Sequence, residues 1–181
     1  NGIQSETNTA SGDYSTAMGI GTTASATGST AMGGYVTASG TASIAIGNGT
    51  TASGEVSTAL GHITTASDRS SLVVGQYNLL GSTVTNSATE FSTENTAFVI
   101  GNGADANNKS DALTVLFDGT TNVSGSVTAT SFIGDGSQLT NLSVSSPFSL
   151  NDTSGNGIQS PTNTASGTLS IAMGCLLYTS D

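Results

Sequence analysis

Charged residues are scarce in this sequence, and positively charged ones scarcest of all. Two of its 181 residues are Lys or Arg and twelve are Asp or Glu, so the net charge is −10 at neutral pH. Binding to nucleic acid requires clustered basic side chains, and Arg69 and Lys109 stand far apart in the sequence. An acidic chain also avoids anionic lipid. We expect no nucleic-acid partner, and contact with a membrane only through an anchor that this stretch of sequence does not contain.

Residues that could build a catalytic or metal site are also few. The chain has one His, one Cys and no Trp. A zinc site needs three or four ligands, a single Cys forms no disulfide within the chain, and His62 would have to serve as the base of any Ser-His-Asp triad. Asp13, Glu55 and Asp68 fall in predicted turns, where we expect them to be solvated. The sequence therefore predicts no catalytic residue, metal or cofactor, and we expect that the protein is not an enzyme.

What the sequence does contain is a repeat of 14 residues. Two apolar residues followed by Gly occur five times at this spacing, and a Thr-Ala-Ser triplet follows the same period, beginning at Thr9. A unit this short suits two short strands and two tight turns, which is one coil of a β-solenoid. Gly supplies the backbone freedom that a sharp corner needs. The predicted turn glycines, the glycine column, are Gly19, Gly33, Gly47, Gly61 and Gly75.

The two residues before each of these glycines are both apolar, although neighbouring residues of a strand point to opposite faces. One face can fill the interior of the coil, and the other must be covered from outside. A second copy of the same repeat is the simplest cover, and a two-sided core within one chain is the alternative. The interior column is predicted to be Ala17, Ala31, Ala45, Ala59 and Val73. The axis column, which would face a homotrimer axis, is predicted to be Met18, Met32, Ile46, Leu60 and Val74.

A longer repeat sets the expected domain organisation. Residues 1–19 return at residues 156–174, so a whole module recurs along the chain. The chain also begins without Met, and we expect it to be a fragment of a longer fibre. We predict β-roll head repeats over residues 1–78, a β-rich connector over 79–151, the start of a second β-roll over 152–174, and an off-pattern, non-native tail over 175–181. The connector strands are predicted within residues 97–103, 111–119 and 122–132.

The elements STAMG (residues 15–19) and TASG (residues 37–40) resemble the head repeat of YadA-like trimeric autotransporter adhesins. The resemblance covers residues 1–78 and restarts at 156–174. It implies an all-β fold, a left-handed parallel β-roll of 14-residue coils followed by an irregular β connector, assembled as a homotrimeric fibre on the bacterial surface. The connector looks like segments of bacterial surface fibres and phage tail fibres. The segments that carry this likeness are residues 72–78, 98–103, 113–116 and 132–137.

The expected function is that of a structural and adhesive segment. A trimeric cell-surface adhesin would present a multivalent β-roll to a host or other surface, and repeated weak contacts would add up through effective concentration. The receptor or matrix ligand is not identified by any motif. We expect an extracellular location, at the bacterial cell surface and outer membrane or on a phage virion. The alternatives are a phage tail-fibre segment and, less favoured, an ice-binding solenoid with a Thr ladder.

Overall fold

The computed structural model describes residues 8–79, 88–131 and 133–134, and within these residues the protein is all β with no helix. Residues 1–129 form one compact unit. Residues 130–181 form a second unit, of which residues 130–131 and 133–134 are described. The predicted second β-roll (152–174) and tail (175–181) lie outside the described residues. The predicted domain boundaries stay predictions.

Short and long strands alternate along the first part of the chain, one of each per coil. In chain order they are β1 (Thr9–Ala10), β2 (Thr16–Ile20), β3 (Thr23–Ala24), β4 (Thr30–Gly34), β5 (Thr37–Ala38), β6 (Ile44–Asn48), β7 (Thr51–Ala52), β8 (Thr58–His62), β9 (Thr65–Ala66) and β10 (Leu72–Gln76). Short strands pair only with short strands and long with long, always parallel and in register, as in Ala17 with Ala31 and Thr23 with Thr37. The predicted parallel β-solenoid of 14-residue coils is confirmed.

The interior of each coil is thin because small side chains fill it. In one coil Ala24, Ser29, Ala31 and Val36 all point inwards, and each is 0% exposed. Equivalent positions in the neighbouring coils are occupied by Ala, Ser and Thr, with Val73 as the largest side chain in the Ala31 column. So little apolar volume per coil cannot hold a single coil together, and the stack depends on contacts between successive coils.

The coils turn at two columns of residues with left-handed backbone. One column is Tyr14, Gly28, Ala42, Val56 and Ser70, and the other is Gly21, Tyr35, Gly49, Ile63 and Tyr77, with φ between 43° and 67°. This conformation costs a residue other than Gly about 1–2 kcal/mol.

In the second corner column the bulky side chains compensate by covering glycines of the preceding coil. A Cβ added at Gly21 would lie 3.0 Å from Cδ1 of Tyr35, and one added at Gly49 would lie 3.1 Å from Cγ1 of Ile63. The Tyr and Ile side chains therefore pack over backbone that would otherwise be exposed at the corner, as aromatic side chains do over glycines in designed sheets.

Three further strands extend the long-strand sheet beyond the coils. They are β11 (Thr96–Asn102), parallel to β10, then β12 (Asp111–Leu116), antiparallel to β11, and β13 (Thr121–Val123), antiparallel to β12. β12 lies within its predicted strand, and β11 begins one residue before the predicted one. Of the described residues in the predicted strand over 122–132, only Asn122 and Val123 lie in a strand, because the pairing with β12 ends at Val123.

Asp68 connects β11 to the coils through side-chain hydrogen bonds. It stands in the column of Gly40 and Gly54 but is completely buried, so the expectation that it is solvated is wrong. Its Oδ2 atom accepts the backbone N–H of Thr96 at 2.9 Å and the Thr96 hydroxyl at 2.7 Å. A buried carboxylate requires such partners, and here they come from the first residue of the strand that follows the coils.

An Asn side chain closes the β9 end of the short-strand ladder. Oδ1 of the buried Asn78 accepts the Thr65 N–H at 2.8 Å, and its Nδ2 donates to the Thr65 carbonyl at 3.0 Å. The side-chain amide thus replaces the backbone of a further strand. A covered edge of this kind limits strand addition by other chains. At the other end of the stack, Nδ2 of Asn8 donates to the Gly19 carbonyl at 2.7 Å and its Oδ1 accepts the Thr22 N–H at 3.1 Å, which joins Asn8 to the next coil.

Candidate interaction surfaces

The interior column lies on the inner side of the long strands. Ala31, Ala45 and Ala59 are 0% exposed, Val73 is 2% exposed and Ala17, in the first long strand, is 7% exposed. The column continues into β11, where Val99 pairs with Val73 and is also buried. Inward residues of successive strands therefore form one uninterrupted row along the whole long-strand sheet.

The glycine column lies in the strands and not in the corners, which is a correction to its predicted position. Gly33, for example, is the fourth residue of β4, and the corner follows two residues later at Tyr35. These glycines have φ between 104° and 136°, and a Cβ on any of them would lie 1.8–2.2 Å from the carbonyl oxygen of the paired glycine in the next strand. Close approach of neighbouring coils therefore requires Gly here, in addition to its backbone conformation.

The axis column lies on the opposite side of the same strands, which we call the outer face. Met18 and Ile46 are each 38% exposed, and Met32, Leu60 and Val74 are half-buried. They pair in register from coil to coil and form a straight row. A second outward row lies two residues earlier in each long strand. It consists of Thr16, Thr30, Ile44, Thr58 and Leu72.

The outer face has no Asp, Glu, Lys or Arg in any of the five long strands. The chain as a whole carries a net charge of −10. Acidic residues are thus kept away from one long apolar stripe. Contiguous exposed apolar surface of this kind marks a site of association with another protein.

The short-strand sheet presents a different surface. Thr23, Thr37 and Thr51 pair in register, each half-buried, and Ser25 and Ser39 beside them are exposed. This Thr/Ser ladder is polar and uncharged. Its hydroxyl groups recur once per coil, at about 4.8 Å, so it can present the same hydrogen-bonding groups repeatedly to a partner.

Charged groups are few and lie away from both surfaces. Nε of Arg69 lies 3.1 Å from a Glu55 carboxylate oxygen, with both side chains about one-third exposed, and such a pair contributes at most about 1 kcal/mol. Burial raises the pKa of Asp111, whose Oδ1 accepts the Leu79 N–H at 3.0 Å. The Asn108 side chain, followed by the Asn107 backbone, lowers the pKa of Asp105 by hydrogen bonding to its carboxylate.

Neither a metal site nor a membrane span is seen in the part of the chain that the structure describes. No three His, Cys, Asp or Glu side chains there are grouped so that they could hold an ion. No helix in that part is long and apolar enough to cross a membrane. His62 is exposed and packs edge-on against Tyr77, with 5.0 Å between ring centroids.

The sequence did not reveal the roles of two residues that are important for the architecture. Asn78 continues, at 14-residue spacing, the inward column of Thr50 and Thr64, so extending the repeat by one position would have located it. Asp68 replaces Gly in its column, which was a visible departure from the pattern. The partner of Asp68 is 28 residues away, beyond the end of the repeat, and no sequence signal pointed to it.

Comparison with known proteins agrees with this geometry. The YadA head domain repeat (2 copies) matches residues 10–35, 38–62 and 52–78, which together cover most of the coil stack. No curated protein and no solved structure matches the chain. The coil stack is therefore similar to YadA head domain repeats over residues 10–35 and 38–78, which is less than half of the chain.

Proposed function

We propose that this chain is a structural and adhesive segment of a homotrimeric fibre on the bacterial cell surface, with the axis column facing the trimer axis. The observation that carries the proposal is the outer face. It is apolar, free of Asp, Glu, Lys and Arg, and in register across five coils.

The long strands have apolar residues on both sides, and the coil can bury only one of them. Ala45 fills the interior, whereas its neighbour Ile46 is left 38% exposed in the single chain. A second copy has the same rise per coil, so its outward side chains meet this face coil for coil. Closed rotational symmetry is the usual way in which identical chains satisfy such a surface. Similarity to the YadA head repeats, a family of trimeric surface proteins, supports three copies.

In this arrangement the Thr/Ser ladder remains available for attachment. Three chains would each present rows of hydroxyl groups, and many weak contacts to a host or matrix surface would act together. A polar, uncharged ladder suits a ligand that is recognised by hydrogen bonds and not by charge. The proposed role requires no catalytic group and no cofactor.

The test begins with the mass of the full chain, measured by light scattering after size-exclusion chromatography. We expect a trimer rich in β-structure. Replacing Met18, Met32 and Ile46 together by Ser should weaken the trimer, because apolar contacts at the axis are lost. The matched control replaces Thr23, Thr37 and Thr51 by Ser in the other sheet and should leave the mass unchanged. A folded, stable monomer of the native chain would refute the proposal.

Adhesion is tested separately with the same proteins. Retention of the trimer on immobilised matrix proteins and on host cells is compared with that of the Met18/Met32/Ile46 variant. Loss of retention with loss of the trimer is expected if attachment depends on multivalency. Equal retention of trimer and monomer would contradict the proposed avidity.

A further inference from the structure

The apolar outer face does not stop where the head repeats stop. β11 pairs in register with β10, so that Phe98 lies beside Leu72 and Ile100 lies beside Val74. Val99, between them, is buried in line with the interior column. Because side chains alternate along a strand, Phe98 and Ile100 lie on the outer face.

The next two strands continue this face. Val115 pairs with Phe98 and Leu113 with Ile100, and Val123 pairs with Leu113. Paired residues of adjacent strands lie on the same side of a sheet. We call the resulting group of five the connector face, and it consists of Phe98, Ile100, Leu113, Val115 and Val123.

The connector face is more apolar than the outer face of most coils. In three of the five long strands the other outward residue, two positions before the axis residue, is Thr, as with Thr16 before Met18 and Thr30 before Met32. In β10, β11 and β12 the two outward positions in the middle of the strand are both apolar, whereas Gln76 and Asn102 at the strand ends are polar. Val123 is 43% exposed, and Phe98, Ile100, Leu113 and Val115 are half-buried in the single chain.

The other side of β12 and β13 is the less apolar one. Thr114 and Asn122 pair with each other there, Thr114 also pairs with Val99, and Ala112 and Leu116 share this side with them. A small sheet that buried its more apolar side against the coil would have the opposite arrangement. The larger group of apolar residues lies instead on the side away from the coil, where it is partly exposed in the single chain.

The charge distribution indicates what kind of molecule covers the connector face. Asp111 is the single charged residue in strands β10 to β13. The register is irregular at this residue, and its carboxylate accepts the Leu79 N–H and lies 3.5 Å from the hydroxyl of Thr114, a residue of the opposite side. Around a symmetry axis each residue is near its own copies, so any charge would face a like charge. A face without charge, on a chain of net charge −10, suits a second copy of the same chain.

We propose that the connector face is the principal contact between copies of this chain, and that association is stronger there than along the coils. This inference rests on the proposed homotrimer. It places the main determinant of assembly outside the matched head repeats, in residues 96–123. The coils then align as a consequence, because the coils and the connector belong to one continuous sheet.

The first experiment compares two double variants of the full chain. Phe98→Ser with Leu113→Ser should raise the concentration at which half of the protein is dissociated by roughly 100-fold or more. Met18→Ser with Met32→Ser, matched in number and also on the outer face, should raise it less than about tenfold. Mass is measured by light scattering over a dilution series. An equal or reversed order of the two effects would overturn the proposal.

A second experiment does not depend on how well these variants fold. Val115→Cys and Thr114→Cys are made separately, each with the native Cys175 replaced by Ser. Under mild oxidation Val115→Cys should form disulfides between chains, whereas Thr114→Cys, which points to the other side, should not. Cross-linking of both or of neither would contradict the assignment of the connector face.

The outcomes separate the two proposals. A third variant, Met32→Cys, reports on the coils in the same way. If the native chain is a trimer and Met32→Cys forms disulfides between chains but Val115→Cys does not, the connector proposal fails and the proposed function stands. If the native chain is a folded monomer at all concentrations, the proposed function fails, and the connector proposal fails with it.

Discussion

Replacing Thr50 by Val should stabilise the coil stack. Thr50 is completely buried, and its hydroxyl oxygen has no hydrogen-bond partner among the described residues. The equivalent residue of the preceding coil is Val36, which is also completely buried. The site therefore accepts Val, which has nearly the same shape as Thr and differs in having a methyl group in place of the hydroxyl.

The size of the effect follows from the hydroxyl. In the unfolded chain it is hydrated, and in the folded coil it has lost water without gaining a partner. Such a group costs about 1–3 kcal/mol, and the methyl group that replaces it gains up to about 0.8 kcal/mol from burial. Allowing for imperfect packing, we expect the free energy of unfolding to rise by about 1–2 kcal/mol. With a urea dependence of about 2 kcal/mol per molar, the midpoint should rise by roughly 0.5–1 M.

The assay is urea unfolding followed by circular dichroism at one fixed protein concentration, because association adds to the apparent stability. The matched control is Val36→Thr, which introduces the same buried hydroxyl into the same column and should lower the midpoint by a similar amount. If Thr50→Val is no more stable than the parent while Val36→Thr is harmless, the column tolerates hydroxyls and the reasoning is refuted.

Three further predictions concern the β9 end of the short-strand ladder, the glycine column and the pH dependence of stability. Asn78→Ala removes both hydrogen bonds to Thr65 and should lower the free energy of unfolding by about 2–4 kcal/mol. Asn78→Thr should not restore the stability, since a hydroxyl cannot replace the amide. Full stability of Asn78→Thr in urea unfolding would contradict the closure of the ladder by the Asn78 amide. Gly47→Ala places a Cβ 1.9 Å from a backbone carbonyl oxygen and should lower the free energy of unfolding by more than about 3 kcal/mol. In the control Gly28→Ala the added Cβ has no atom nearer than 3.8 Å, and the loss should be about 1–2 kcal/mol. Equal losses of stability in thermal melts would contradict the close approach of neighbouring coils at Gly47. Burial raises the folded-state pKa of Asp111. Its stabilising contribution is therefore present below the unfolded-state pKa and is lost as the pH rises through the folded-state pKa. Asp111→Asn should be more stable than the parent near pH 7 and equal to it near pH 3, and a gain in stability independent of pH would be inconsistent with this cause.

The regular part of the fold could be predicted because each coil packs against a copy of itself. The 14-residue spacing sets the partner of every strand residue, so Ala17 pairs with Ala31 and Thr23 with Thr37. Strand alternation then separates inward from outward residues without further information. No other part of the chain is needed to reach that result.

The irregular features depend on contacts that no local pattern encodes. Asp68 is buried because Thr96, beyond the end of the repeat, supplies its hydrogen bonds. The side chain of Asn78 makes the hydrogen bonds that the backbone of a further strand would make. Periodicity alone does not distinguish such an Asn from any other polar residue. Val56 and Ile63 have the left-handed backbone conformation that favours Gly, and the side chain of Ile63 covers a glycine of the preceding coil.

Each coil contacts only its nearest neighbours, so the coil stack can lengthen or shorten by whole coils. Gain or loss of one 14-residue unit through unequal recombination of the gene would alter the reach by about 4.8 Å, and every remaining junction would be of the same kind as before. The unit that holds Asp68 and Asn78 must stay last, because its side chains hold β11 and close the short-strand ladder. Related chains should therefore vary in the number of coils before this unit, and under the proposed function that number would set the distance between a cell and its target.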